Sequence, residues 1–334
     1  MKTSKLGYLT SLDLLRGLAA VAVCYFHFTH GNPDFLSKTN ILYISGRFGF
    51  LGVDVFFVLS GFVIPYAMFR GNYQIKNFGR FLTKRLVRIE PPYLVSIALV
   101  LLLNWISTLS PYYRGAAFSV NFEALALHLG YLNAFFNFPW VNDVYWTLAI
   151  EFQYYILIAL VFPLLIHSEK KYSFGTLMIF GFSSFMLSSH NYIFNYAFLF
   201  IAGILLFQFY IGYLNKKQFG SFFLITLLLI YSKFDNRYLV AALLPYFFIT
   251  YFEFHDKVSR FLGNISYSLY LVHIPIGGRI INLCETFVQN EWIRSLFVFI
   301  ALIISLFSAW LFFKFIEQPF MELSKRITYK KPGA

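Results

Sequence analysis

Ten apolar runs divide this chain, at about 10–30, 47–69, 91–109, 144–166, 173–189, 191–212, 218–232, 238–254, 264–282 and 293–316. Each reaches or approaches the ~20 residues that a helix needs to cross a bilayer. In hydrocarbon, every backbone N–H and C=O must be satisfied within the protein, which favours helices for such runs. The pattern predicts an all-α, polytopic membrane protein of about ten transmembrane helices. The fifth and seventh runs are short. Between the third and fourth lies the longest loop, 110–143. Its weaker apolar piece FEALALHLGYLNAFF reads as a re-entrant or interfacial helix.

Composition agrees. Hydrophobic residues make up 59% and charged residues 13%, against about 25% charged in a soluble domain. A net charge of +12 would suit a nucleic-acid partner, but the basic residues gather in short loops between the runs. With the N-terminus inside, 18 of the 27 Lys and Arg fall in cytoplasmic segments, 7 in outer segments and 2 within spans. That bias predicts both termini in the cytoplasm. Asp13 and Arg16 interrupt the first run and no small-residue cleavage site follows, so it reads as an uncleaved span. Residues 8–322 form one membrane domain, and 323–334 a basic cytoplasmic tail.

An ionisable side chain inside a span is costly and marks a candidate site. Arg16 and His27 stand eleven residues apart in the first run. On a helix they share one face and are separated by roughly 16 Å. His27 titrates in the range of a general base. Asp13 shares the face of Arg16, either as the pair that makes the cation tolerable or as part of a site. His30 lies one turn from His27, but no third ligand accompanies them. No metal is expected. Cys24 and Cys284 lie in apolar stretches and read as small buried hydrophobes.

Further candidates follow along the chain. Asp54 lies in RFGFLGVDVFFVLSGFVIP, where it either orients His27 or pairs with another helix. Ser60 and Gly61 in the same segment permit close helix approach. Lys84, Arg85 and Arg88 precede Pro91 and Pro92 at the entrance of the third span. They suit a phosphate clamp, or simply topology and anionic lipid. Trp146 and Glu151 fall in VYWTLAIEFQYY, with Glu151 near the depth of His27. Ser266, Tyr270 and His273 form one stripe at i, i+4, i+7 in the ninth span. Glu317 and Pro319 close the tenth.

Taken in order, these segments resemble the acyltransferase-3 family over about residues 8–322. The family's Arg-(ten residues)-His pattern is met by Arg16 and His27. Gly52 to Phe62 meets its Gly-Val-Asp segment, and Arg85, Arg88, Ile89 and Pro91 its Arg-x-x-Arg-Ile-x-Pro. Trp146, Leu148 and Glu151 match a fourth motif, and Ser266, Tyr267, Tyr270, Leu271 and His273 a fifth. Glu317 and Pro319 match the close. Some members carry an added esterase-like domain. This chain ends at Ala334 and looks like the stand-alone form.

The resemblance implies an acyl-CoA donor, commonly acetyl-CoA, on the cytoplasmic side. It implies a hydroxyl of an exopolysaccharide, O-antigen or lipid-linked glycan as acceptor, in a bacterial-type inner membrane. Lys84, Arg85, Arg88 and Arg16 would hold the donor. His27 would act as general base or acyl relay, its tautomer fixed by Glu151 or Asp54. The competing class is an exporter of a glycan or lipid-linked sugar, which would also use intramembrane Asp, Glu, His and Arg. No inverted repeat supports it.

Overall fold

The computed structural model describes residues 10–113, 117–253 and 256–329. Residues 8–9, the tail beyond 329, and Lys2, Lys5, Arg114, Lys330 and Lys331 lie outside them. Among the described residues every regular element is helical. The helices are α1 (Ser11–His30), α2 (Ile41–Gly46), α3 (Gly52–Arg70), α4 (Phe78–Thr108) and α5 (Phe122–Leu127). Then come α6 (Trp146–Leu165), α7 (Lys170–Met186), α8 (Ala197–Tyr210), α9 (Lys216–Lys233) and α10 (Arg237–Tyr251). The last are α11 (Lys257–His273), α12 (Arg279–Phe287), α13 (Glu291–Phe312) and α14 (Gln318–Lys325).

All ten apolar runs fall on helix. Among the described residues, however, six helical segments combine the length and apolarity needed to cross a membrane: 11–30, 41–70, 75–108, 143–165, 193–210 and 291–325. The remaining runs lie on shorter or more polar helices. The described residues are thus all-helical and of membrane character.

Several boundaries depart from expectation. The third run opens at the proline pair, yet α4 begins at Phe78 and carries Lys84, Arg85 and Arg88 inside its first turns. Pro91 and Pro92 cannot supply N–H groups to the carbonyls one turn back. Nearby, the Tyr267 hydroxyl donates to the Ile89 carbonyl at 2.9 Å. The ninth and tenth runs are each interrupted by a π-helical turn, Ile274–Gly278 and Phe313–Glu317. Such turns recur at functional sites, and here one follows His273 and the other ends on Glu317.

Two seams depend on glycine. A Cβ added to Gly17 would lie 2.4 Å from Leu262 Cβ, and one on Gly263 would lie 2.6 Å from Asp13 Cα, so α1 and α11 meet backbone to backbone. Likewise a Cβ on Gly203 would reach 2.0 Å from the Val58 carbonyl, locking α3 to α8. Small residues allow such approach where dispersion drives helix association. One apolar core gathers around α3, α6 and α8, the other around α1, α11 and α13.

Among its described residues, the 110–143 loop holds the six-residue α5, a 3-10 turn, His128–Gly130, and at its end the start of another, Asp143–Tyr145. Buried His128 pins it. Its Nδ1 lies 2.6 Å from the Tyr93 hydroxyl, and its Nε2 accepts from Val141 N–H at 3.3 Å.

Candidate active site

Helix α1 carries Arg16 and His27 along one face, and each opens on a different cavity. Arg16 lines a narrow one of about 140 Å³ together with Ser60, Arg85, Arg88, Glu151, Tyr155, Ser266 and Tyr270. Three cations converge there from two helices. Arg85 lies over the rings of Phe81 and Tyr155, at 5.5 and 5.4 Å. Glu151 is the opposing acid. Its Oε1 accepts from the Tyr155 hydroxyl at 2.7 Å and from Ser60 Oγ at 3.2 Å. Lys84 is half-buried on the same helix but does not line this cavity.

His27 opens instead on two larger cavities. One, of about 380 Å³, is lined by Asp54, Asp143, Trp146, His190, Tyr196, Tyr238 and Tyr270 among others. The other, of about 560 Å³, is lined by Asn32, Asn104, Asn142, Asp143, Arg279 and Asn282 beside an apolar wall. These amides, carboxylates and the guanidinium offer both hydrogen-bond donors and acceptors, as a polyhydroxylated ligand requires.

Val53 and Tyr270 line both the Arg16 cavity and the smaller His27 cavity. Tyr270 thus forms part of the partition between them. Its ring is fixed there by its hydroxyl, which lies 2.6 Å from Thr147 Oγ1 and donates to the Val144 carbonyl at 2.9 Å.

The His27 ring is held by groups other than those expected. Its Nδ1 lies 2.9 Å from the Val23 carbonyl and 3.2 Å from His273 Nε2. His273 Nδ1 in turn lies 2.8 Å from the Tyr270 carbonyl and 3.1 Å from the Leu269 carbonyl. A neutral imidazole has one donor and one acceptor nitrogen. Carbonyls accept only, so the proton of His273 belongs on Nδ1, leaving Nε2 as an acceptor. His27 Nδ1 then faces two acceptors and carries the proton itself. Its Nε2 keeps the lone pair. Glu151 lies in the other cavity and does not hold His27. Asp54 is buried and shares a cavity with His27.

The remaining candidates form a polar seam. Asp13 is buried on α1, its backbone against Gly263. Ser268 Oγ donates to Glu317 Oε2 at 2.6 Å, joining α11 to the π-helical turn. The Trp146 ring lies tilted against His190, ring centroids 4.0 Å apart. Sequence reasoning passed over Asp143, which lines both His27 cavities. It stands three residues before Trp146 in a loop, where a single exposed Asp carries no periodic signal. His190 and buried Asn142 also lie in connections between helices, and Arg279 opens α12.

The chain belongs to the acyltransferase-3 family, described as "Acyltransferase domain", whose model matches residues 9–314. It is 31% identical over 172 residues to the O-acetyltransferase OatA of Staphylococcus aureus, an alignment covering 49% of this chain and 26% of that protein. A second Staphylococcus aureus protein, provisionally named an O-acetyltransferase, is 26% identical over 373 residues, covering 96% of this chain and 58% of its own. The chain spans from about a quarter to just over half the length of these relatives. No solved structure matches it.

Proposed function

We propose that this protein is a membrane-bound O-acetyltransferase that takes acetyl from acetyl-CoA at the face carrying Arg85 and Arg88. The acetyl passes to a hydroxyl of an exopolysaccharide, O-antigen or lipid-linked glycan on the side of His27. The observation that carries this reading is the single helix α1. It presents a cation to a basic, narrow cavity and an imidazole with a free lone pair to wide polar ones, across the Tyr270 partition.

Arg85, Arg88 and Arg16 fit an anionic donor, because guanidinium groups pair with phosphate through parallel N–H···O bonds. The 140 Å³ cavity suits a slender thioester arm rather than a nucleotide, and the thioester has to pass Tyr270 to reach His27. His27 Nε2 takes the proton of the acceptor hydroxyl as its oxygen bonds to the thioester carbon. The C–S bond breaks, and the imidazolium returns that proton to the departing thiolate. General-base help of this kind is worth roughly 10²–10⁴-fold. A relay also balances: Nε2 attacks the thioester carbon, the C–S bond breaks and the thiolate takes the proton given up by Nδ1; the acceptor oxygen then attacks the acetyl carbon, the N–C bond breaks and the hydroxyl proton returns to the imidazole.

About ten crossings with both termini on the basic face, in a bacterial-type plasma membrane, fit the charge bias. Membrane vesicles given labelled acetyl-CoA test the whole reading. Label should enter a glycan or lipid-glycan fraction with wild type only, not with His27→Ala. Glycan flux without acetyl-CoA would favour an exporter.

A further inference from the structure

Helices α7 and α9 both pack on α8 but do not close over it. Between them runs a groove of about 690 Å³, within the range of small-molecule sites. Phe198, Ile201 and Leu205 of α8 form its buried floor. The walls are apolar. Met178 and Phe182 on α7 and Ile225 on α9 are 64%, 63% and 53% exposed.

Polar contacts tie the two helices at both ends of the groove. At one, Lys170 Nζ donates to Gln218 Oε1 at 3.0 Å. At the other, Lys233 Nζ donates to the carbonyl and hydroxyl of Ser184, each at 2.6 Å. In between, the groove is open at Gly175, where an added Cβ meets nothing within 4 Å. The lining stretch Phe174 to Phe185 rises roughly 16 Å along the helix. That is about the hydrocarbon depth of one leaflet, half of the ~30 Å core.

Against the single Lys233 at one end, charge is concentrated at the opposite mouth. Lys170, Lys171, Lys216 and Lys217 start the two helices there. Lys170 is held over the Tyr213 ring at 5.6 Å, so it stands ordered at the rim. The acid beside it, Glu169, is paired with Lys171 at 2.5 Å. A second copy packed here about a two-fold along the membrane normal would set these lysines against their own counterparts. A lipid phosphate complements them.

We propose that this groove binds one anionic phospholipid, its phosphate at the Lys170 mouth and one acyl chain between α7 and α9. The inference rests on α7 and α9 standing in the membrane, and is independent of the transfer chemistry. Each lysine near an anionic headgroup favours binding by roughly fivefold.

Native mass spectrometry of the whole purified protein, titrated with phosphatidylglycerol or phosphatidylcholine of equal chains, reads it out. Phosphatidylglycerol adducts should outlast phosphatidylcholine adducts. Lys170→Gln/Lys171→Gln should cut their retention by roughly 10- to 30-fold. Gly175→Leu, which fills the groove and leaves every charge in place, should also weaken retention. Equal retention of the two lipids would overturn the proposal. So would phosphatidylglycerol binding that neither variant changes, or a dimer that forms in place of the lipid adduct.

Discussion

His273 Nε2 lies 3.2 Å from His27 Nδ1, and the backbone of α11 leaves that nitrogen only the role of acceptor. The two rings come from helices at opposite ends of the sequence, joined across the Gly17–Gly263 seam. If this contact sets the His27 tautomer, a side chain that can accept at the same place should serve. His273→Gln should keep most activity. His273→Leu should lose roughly 10- to 100-fold in kcat, within the general-base contribution, with little change in KM. Steady-state kinetics at matched protein levels checks both. Equal loss in the two variants would mean that the ring only fills space.

The basic cavity makes its own distinction. Arg85 and Arg88 line it and Lys84 does not. A hydrogen bond to a charged group is worth about 1.5–3 kcal/mol. Arg85→Gln and Arg88→Gln should therefore raise the KM for acetyl-CoA by about 10- to 100-fold each. Lys84→Gln should change it only a few-fold. An equal effect from all three would point to general surface charge.

The Tyr270 partition predicts sidedness. Half-buried Ser60 lines the Arg16 cavity and exposed Asp143 both His27 cavities. In sealed vesicles, Ser60→Cys should react with a charged thiol reagent only from the side carrying Arg85. Asp143→Cys should react only from the other. The native Cys24 and Cys284 are buried and give a low background. Labelling of both from one side would remove the partition.

The α3–α8 seam predicts a stability contrast between two helical glycines. Gly203→Ala would press its Cβ to 2.0 Å from the Val58 carbonyl, whereas a Cβ on Gly79 meets nothing within 4 Å. Overpacking costs about 1–3 kcal/mol. Gly203→Ala should lower the Tm of detergent-purified protein by several degrees. Gly79→Ala should leave it unchanged or raise it, since Ala gains up to about 1 kcal/mol over Gly in a helix. Equal Tm values would mean that the seam relaxes freely.

What could be read without the structure was whatever repeats with helical period. The apolar runs placed the helices, and Arg16 and His27 fell on one face because eleven residues make three turns and a little more. Partners across helices carry no such period. Glu151 and His27 looked close in depth, yet helix packing put Glu151 with Ser60 and Tyr155 in the other cavity. The loop residue Asp143 joined the His27 cavities through the fold of 110–143, a segment whose path rests on the buried His128 contacts. The start of α4 was missed by thirteen residues, because a proline pair usually marks a boundary, whereas here the helix runs through it.

The central claim is that His27 removes or carries the group that moves. Its most direct test is transfer from radiolabelled acetyl-CoA in membrane vesicles containing endogenous glycan, comparing wild type with His27→Ala at equal expression. The account predicts labelled glycan with wild type and a loss of at least 10²-fold in the variant. Undiminished transfer by His27→Ala would contradict it.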